Sequence, residues 1–238
     1  MLSLKPWRAE AVIQLIVGVF VCLGLGVVTV VGLRQAGVAA FQSPDSFACV
    51  LVATLSFQGA TWILIFIFLK LHDVDWRDAF GLRNAHLLRS LALAVGVLLL
   101  VLPVVLGLQQ VSVLVLGKLG WRPEDQRAVD LLVNADSWWM RGYLAFFAVV
   151  LAPVAEEFIF RGLLYPFVKQ LGWPKLAWIG VSLLFAFIHL NAPTFIPLFV
   201  LALGLTWLYE KTDCLLAAIT VHSLFNATNL LILFLQTR

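Results

Sequence analysis

The sequence predicts an all-α fold, a bundle of seven or eight helices that cross a membrane. Hydrophobic residues make up 62% of the 238 residues and charged residues only 12%, against roughly 25% charged in an ordinary soluble domain. Seven apolar runs are long enough, or nearly so, to cross about 30 Å of hydrocarbon at about 1.5 Å per helical residue. These observations predict a polytopic integral membrane protein, in contact with membrane lipid.

The apolar runs divide the chain in order. They cover residues 11–33, 46–71, 90–116, 138–170, 174–189, 194–209 and 215–235. The first run follows Lys5 and Arg8 and is too long for a signal-peptide core of about 7–15 residues, so we expect a retained span, with cleavage near residues 36–40 as the alternative. The fifth and sixth runs are short, which predicts tilted helices or helices packed inside the bundle. Without an internal repeat, a single domain over 1–238 is the simplest partition.

Two polar stretches lie between the early runs. The stretch from His72 to Ser90 alternates charged and apolar residues, which predicts an amphipathic helix in the membrane interface and solvated side chains at His72 and His86. The second stretch predicts an extramembrane loop with a short helix around Glu124 to Val133.

The distribution of basic residues predicts the orientation. With the N-terminus inside, ten Lys and Arg lie on the inner side against five or six on the outer side. The sequence therefore predicts an inside N-terminus, in a cell membrane or another energy-transducing inner membrane. Because the basic residues do not cluster, no nucleic-acid partner is expected.

Three charged side chains interrupt the fourth run. Placing Glu156, Glu157 and Arg161 at membrane depth costs between roughly 2.5 and over 10 kcal/mol each, so they must face protein or water, and they are functional candidates by default. Glu157 and Arg161 are four residues apart and can pair on a helix. Glu156, about 100° around the helix from Glu157, is left without an obvious local partner.

Two histidines lie within apolar sequence and are expected to meet these carboxylates. Glu156 lies 16 residues before Gly172 and His189 lies 17 residues after it, so a helical hairpin that turns there places both at nearly the same depth. His222 and Asn226 are four residues apart and share one helix face. The sequence therefore predicts a converging set, which consists of Glu156, His189, His222 and Asn226 with Glu157 and Arg161 in support.

A carboxylate, two histidines and an amide suit hydrolysis by activated water. Glu156 would take the proton, a histidine would orient the water, and histidine and asparagine donors would stabilise an oxyanion. Ser223 is a poorer nucleophile candidate, because it adjoins His222 and adjacent helical positions do not face one another. Glu156, His189 and His222 are equally a possible ligand set for a divalent metal such as zinc, although no H-E-x-x-H motif occurs. The sequence alone does not separate metal-bound water from Glu-activated water.

The motifs that carry these residues resemble those of the CPBP family of intramembrane proteases, also called the Abi or CAAX-protease family, which includes the type II CAAX prenyl endopeptidases. Its three-part signature, E-E-x-x-x-R, F-x-x-x-H and H-x-x-x-N, is present in order at Glu156 to Arg161, Phe185 to His189 and His222 to Asn226. The similarity covers about residues 145–233, whereas residues 1–137 are similar only as generic membrane helices, with a looser echo at Trp76 to Leu82.

The resemblance implies a bundle of seven or eight helices around a polar intramembrane cavity that opens to the cytosolic side. It also implies Glu156 as the water-activating base, His189 as its helper, and His222 with Asn226 as the oxyanion site. The family is labelled metallopeptidase, which leaves the metal open for this chain.

Three functions are compatible with the sequence. The leading interpretation is an endopeptidase that acts on a peptide or on the terminus of a membrane protein, and the intact set of polar residues favours it. The second is a scaffold, assembly or immunity factor that binds a partner membrane protein without cleaving it. The third is a small transporter, against which the lack of two matching halves with broken helices argues.

Overall fold

The computed structural model describes residues 2–82, 86–121, 126–135 and 137–236, and within these ranges all regular structure is helical. The helices in chain order are α1 (Ala9–Gln35), α2 (Phe47–Leu71), α3 (Trp76–Ala79), α4 (Leu87–Lys118), α5 (Arg127–Val133), α6 (Trp138–Gln170), α7 (Pro174–Ile188), α8 (Ala192–Thr212) and α9 (Leu215–Gln236). The predicted fold class, a helical membrane bundle, is confirmed.

Six of these helices, α1, α2, α4, α6, α8 and α9, are long and apolar enough to cross a membrane. Helix α7 has only 15 residues and is shorter than a full span. The predicted number of seven or eight spans is therefore not confirmed. The short α7 turns back from α6 at Gly172, whose φ of +93° suits a residue without a side chain, and it packs between α6 and α8.

Helix α8 is longer than the sequence predicted. The predicted run of 194–209 is a helix of 21 residues, because both ends are stabilised by polar groups. At the start, the Asn191 side chain accepts a hydrogen bond from the Thr194 N–H, as an N-cap does. At the other end, Glu210 forms an ion pair with Lys169 of α6 at 2.7 Å, so the helix continues beyond the predicted end at 209.

The predicted interfacial helix at His72 to Ser90 is wrong. Only the four residues of α3 form a separate helix, the last residues open α4, and 83–85 lie outside the described residues. Gly81 (φ +67°) follows α3, and a Cβ there would lie 1.6 Å from the Asp213 carbonyl oxygen. The preceding Phe80 is fully buried, and its carbonyl accepts a hydrogen bond from the Leu215 N–H at 3.0 Å. This packed turn ends α3, so the stretch does not form one amphipathic helix.

The remaining predictions about the polar stretches have mixed outcomes. The loop helix is present as α5, while its predicted start at Glu124 lies outside the described residues. His86 is exposed, as expected, but His72 is half-buried and its Nε2 accepts a hydrogen bond from the Arg8 N–H at 3.2 Å. The orientation stays a prediction, and three basic residues counted for it lie outside the described residues, namely Arg83, Arg122 and Arg238.

Candidate functional site

Helix α6 carries the two carboxylates, and its backbone is irregular on both sides of them. Two π-helical segments, Phe147–Leu151 and Phe158–Leu164, flank the α-helical residues Ala152–Glu157. A proline follows each π-helical segment, at Pro153 and Pro166, and neither has an N–H for a regular helical hydrogen bond. Single π-helical turns within an α-helix occur frequently at functional sites. The local sequence therefore explains why the helix departs from regular geometry here.

The centre of the site is an ion pair between Glu157 and Arg161, both fully buried. The guanidinium Nη1 donates to Glu157 Oε1 at 2.8 Å, so the pair predicted from the four-residue spacing is present. Helix α8 supplies two further acceptors, the Thr206 hydroxyl at 3.3 Å from Nε and the Ala202 carbonyl at 3.1 Å from Nη2. Such additional hydrogen bonds are what make a buried ion pair tolerable, because burial removes the solvation of both charges.

His222 of α9 joins this ion pair. Its ring is buried, and Nδ1 lies 2.8 Å from Glu157 Oε1. Because Glu157 is paired with a guanidinium, its carboxylate accepts and Nδ1 carries a proton. The other ring nitrogen, Nε2, lies 3.9 Å from Glu156 Oε2. Glu157 thus fixes the ring of His222 so that Nε2 points towards the second carboxylate.

Glu156 differs from Glu157 in its surroundings. Its side chain is 15% exposed whereas that of Glu157 is fully buried. The 3.9 Å to His222 Nε2 is too long for a direct hydrogen bond. Among the described residues, the Glu156 carboxylate has no hydrogen bond, so its oxygens are free to accept one from a ligand or from water.

His189 is connected to the site by the ring of Phe185, which lies one turn earlier on α7 and contacts both histidine rings. The Phe185 carbonyl lies 2.7 Å from His189 Nδ1, and since a carbonyl only accepts, Nδ1 carries the proton and Nε2 is an acceptor. The Phe185 ring lies 4.8 Å from the His189 ring and 5.6 Å from the His222 ring, centroid to centroid. Its face also lies 4.6 Å from the Arg161 guanidinium. One buried aromatic ring thus contacts both histidines.

Asn226 faces α6, as its spacing from His222 predicted. It contacts α6 on the N-terminal side of the two carboxylates, not at the carboxylates themselves. Its Nδ2 donates to the Ala148 carbonyl at 2.8 Å, in the first π-helical segment. The structure therefore brings Glu156, Glu157, Arg161 and His222 into one network and places His189 beside it. Asn226 is attached to the same helix eight residues before Glu156, with its second amide N–H available.

The metal alternative does not fit this arrangement. Among the residues that the structure describes, no group of three or more His, Cys, Asp or Glu side chains is placed to hold a metal ion. The 3.9 Å between His222 Nε2 and Glu156 Oε2 would suit two donors of one ion, but His189, the third predicted ligand, does not complete a group with them. No step is therefore derived through a metal.

Sequence reasoning missed the contribution of α7 and α8 to the network. Thr206 is fully buried, donates to the Ala202 carbonyl at 2.8 Å, and lies 3.4 Å from the Ser182 hydroxyl of α7. Small hydroxyl residues within apolar runs are a weak signal, because a Ser or Thr can bond its own helix. The Phe of F-x-x-x-H was visible in the sequence, but its contact with both histidines was not.

Fold and site together define the class of protein: a polytopic helical membrane protein with a buried carboxylate, histidine and arginine network that leaves one carboxylate accessible. Residues 138–228, somewhat more than a third of the chain, match the family model described as Type II CAAX prenyl endopeptidase Rce1-like. The resemblance to the CPBP/CAAX protease family is confirmed for this segment. It supports a CAAX-type intramembrane endopeptidase, a hydrolase, in general terms. No curated protein and no solved structure matches the chain.

Proposed function

We propose that this protein is an intramembrane endopeptidase that hydrolyses a peptide bond near the terminus of a membrane-associated protein or peptide. The observation that carries the proposal is the contact network in which three distant segments meet around His222, with Glu157 at 2.8 Å and Glu156 at 3.9 Å from its two ring nitrogens. The Phe185 ring joins the F-x-x-x-H segment to the same network.

The first step of the proposed reaction is the activation of a water molecule by Glu156. In this step the Glu156 carboxylate, which has no hydrogen bond among the described residues, accepts one hydrogen of the water, and Nε2 of His189 is the proposed acceptor for the other. This leaves a lone pair on the water oxygen for attack on the substrate carbonyl carbon. As the new C–O bond forms, Glu156 takes one proton of the water and the carbonyl oxygen becomes an oxyanion.

The second step is the stabilisation and collapse of the tetrahedral intermediate. His222 donates to the oxyanion only if Nε2 also carries a proton, and the resulting imidazolium would lie between Glu157 and Glu156. The second amide N–H of Asn226 is the other proposed donor. Removing one such donor typically costs about 2.7–4 kcal/mol in the barrier. Glu156 then returns its proton to the leaving nitrogen, the C–N bond breaks, and a carboxylic acid and an amine are released. The acid passes its remaining proton to the amine, which leaves a carboxylate and an ammonium group.

The surroundings of the site favour a substrate that is itself in the membrane. The ion pair, Thr206 and His222 lie on α6, α8 and α9, which are apolar enough to span a bilayer, and the Phe185 ring beside them is fully buried. A chain segment anchored in the membrane would reach such a site by lateral diffusion and pay a smaller desolvation cost than a soluble protein. The basic-residue count further leads us to propose an inner membrane with the N-terminus inside.

The test is a cleavage assay of the protein in nanodiscs with fluorogenic peptides and candidate membrane-protein tails. Wild type would be compared with Glu156→Ala, His189→Ala and His222→Ala, and with Glu10→Gln, an exposed carboxylate of α1, as the control. We expect cleavage by wild type and by the control, and loss in the three site variants. Because the part of the chain that the structure describes forms no group of three metal ligands, we expect cleavage to persist in a chelator.

Two results would contradict the proposal. Cleavage by Glu156→Ala at the wild-type rate would remove the base from the mechanism. A partner protein that co-purifies equally with wild type and all three site variants, while no substrate is cleaved, would instead support the scaffold.

A further inference from the structure

The segment before α1 is not helical, and it lies across one end of the bundle, against the ends of α2, α6 and α8. Lys5 exchanges two hydrogen bonds with the Gln170 side chain, from its N–H at 2.9 Å and to its carbonyl at 2.8 Å. The Lys5 ammonium pairs with Asp213 at 2.9 Å, and Lys5 is only 5% exposed. These contacts hold the segment on the helices that carry the proposed site.

Trp7 makes the one described side-chain hydrogen bond from this segment to the π-helical part of α6. Its indole Nε1 donates to the Gly162 carbonyl at 3.2 Å. The ring is buried against the end of α2, with centroids 5.1 Å from Phe68 and 5.9 Å from His72. The N-terminal region, which lies outside the matched segment, therefore contacts α6 at the residue next to Arg161.

The Gly162 carbonyl lies near the end of the π-helical segment, before α-helical geometry resumes at Tyr165. Pro166, four residues after Gly162, has no N–H and cannot supply an α-helical hydrogen bond to this carbonyl. Gly162 is also tightly packed, since a Cβ there would lie 2.8 Å from the Phe80 ring. The turn is thus held by the indole N–H and the Phe80 ring on one side, and by the polar contacts of Arg161 on the other.

We propose that Trp7 is a positioning residue for the site, acting through the turn that carries Arg161. The indole fixes the Gly162 carbonyl, the adjacent Arg161 donates to Glu157 at 2.8 Å, and Glu157 holds His222 at 2.8 Å. Its effect on catalysis rests on the proposed function, whereas its effect on the geometry of the turn does not.

The test is Trp7→Phe, which keeps an aromatic ring and removes the N–H. The matched control is Trp178→Phe, because the Trp178 indole also donates to a helical carbonyl, that of Leu203, at 3.1 Å, but not to α6. In Trp7→Phe we expect kcat to fall about three- to tenfold, as the loss of one hydrogen bond implies, with KM changed less than twofold. In Trp178→Phe we expect both constants to stay at wild-type values.

A second measurement does not depend on activity. Hydrogen exchange of the amides in 158–164, followed by mass spectrometry in nanodiscs, should be faster in Trp7→Phe than in wild type and unchanged in Trp178→Phe. If Trp7→Phe does not fold, benzothienylalanine at position 7 keeps the shape of indole with sulfur in place of the N–H, and is tested in the same way.

The outcomes separate the two proposals. Unchanged kcat and unchanged exchange in the variant without the N–H would overturn the role of Trp7. A wild-type protein that cleaves nothing would count against the proposed function, and the exchange comparison alone would then decide whether Trp7 holds the turn. A rise in KM at constant kcat would also overturn the proposal, because it would place Trp7 in substrate binding.

Discussion

Helices α4 and α8 pack against each other, yet the more hydrophobic of the two, α4, is the less buried. The most apolar window of α4 has a mean hydropathy of 2.9, with 17% of its residues buried, whereas that of α8 has 1.6, with 50% buried. In a soluble protein the more hydrophobic helix would be expected inside. In this pair the less apolar helix lies inside because its polar groups bind to other helices.

The contact between the two helices shows how α8 reaches the interior. A Cβ at Gly204 would lie 3.1 Å from the Val101 side chain of α4, so a residue without a side chain permits the close approach. Two residues further on, Thr206 points into the site and accepts from Arg161. One face of α8 therefore packs against the lipid-facing helix while another supplies acceptors to the buried charge.

The largest effect is expected from Glu156→Gln, at the partly exposed carboxylate of the site. An amide of the same shape cannot accept a proton, so kcat should fall about 10²- to 10⁴-fold. Because the Glu156 carboxylate has no hydrogen bond among the described residues, the unfolding midpoint should match that of wild type. A variant that unfolds early and keeps its kcat would show that Glu156 is structural.

Arg161→Met should have the next largest effect, on stability. It leaves Glu157 buried without its counter-charge, and breaking a buried pair in this way costs about 3–5 kcal/mol. Unfolding in a denaturing detergent measures the change. Glu157→Gln in the same chain should recover part of the loss, since it removes the uncompensated charge. If the double variant is no more stable than Arg161→Met, the charge is not the cause.

Thr206→Val should have a smaller effect of the same kind. It keeps the shape of the side chain and removes the acceptor for Arg161 Nε, which leaves a buried donor unsatisfied at a cost of about 1–3 kcal/mol. Thr206→Ser retains the hydroxyl and is the control. Equal losses in both variants would assign the effect to packing of the methyl group instead of the hydrogen bond.

The smallest effect is expected on the lipid side of α4, with Leu99→Ala. Leu99 is 67% exposed, so truncation creates no cavity inside the bundle and should change the free energy of unfolding by less than about 0.5 kcal/mol. The same detergent-unfolding measurement applies. If this variant loses as much stability as Thr206→Val, the contrast between lipid-facing and interior helices is wrong.

The helices could be predicted from the sequence because the length of an apolar run is set by the thickness of the bilayer. The ion pair of Glu157 with Arg161 was predictable for a similar reason, since four-residue spacing places both on one face. Predictions failed where a polar residue is satisfied by a distant one. The predicted run ended at 209, although α8 continues through Glu210, which pairs with Lys169. The segment near Phe80 suggested an interfacial helix, although it packs on the turn at Asp213.

The contacts of the site residues show the same limit. The spacing of His222 and Asn226 placed both on one face of α9, but it could not show that Asn226 binds the Ala148 carbonyl, because a π-helical segment leaves no clear sequence pattern. The hydrogen bond of Trp7 could not be predicted either, because no local sequence pattern indicates a partner 155 positions away.

The two π-helical segments of α6 are places where that helix can change its length without changing which way its carboxylates face. Each such segment is equivalent to one extra residue inserted into an α-helix, and one residue corresponds to about 100° of rotation. Deleting a single residue within Phe147–Leu151 would restore regular pitch and leave Glu156 and Glu157 facing as they do now relative to Trp138. The same deletion in a regular turn of α6 would rotate the two carboxylates by about 100°.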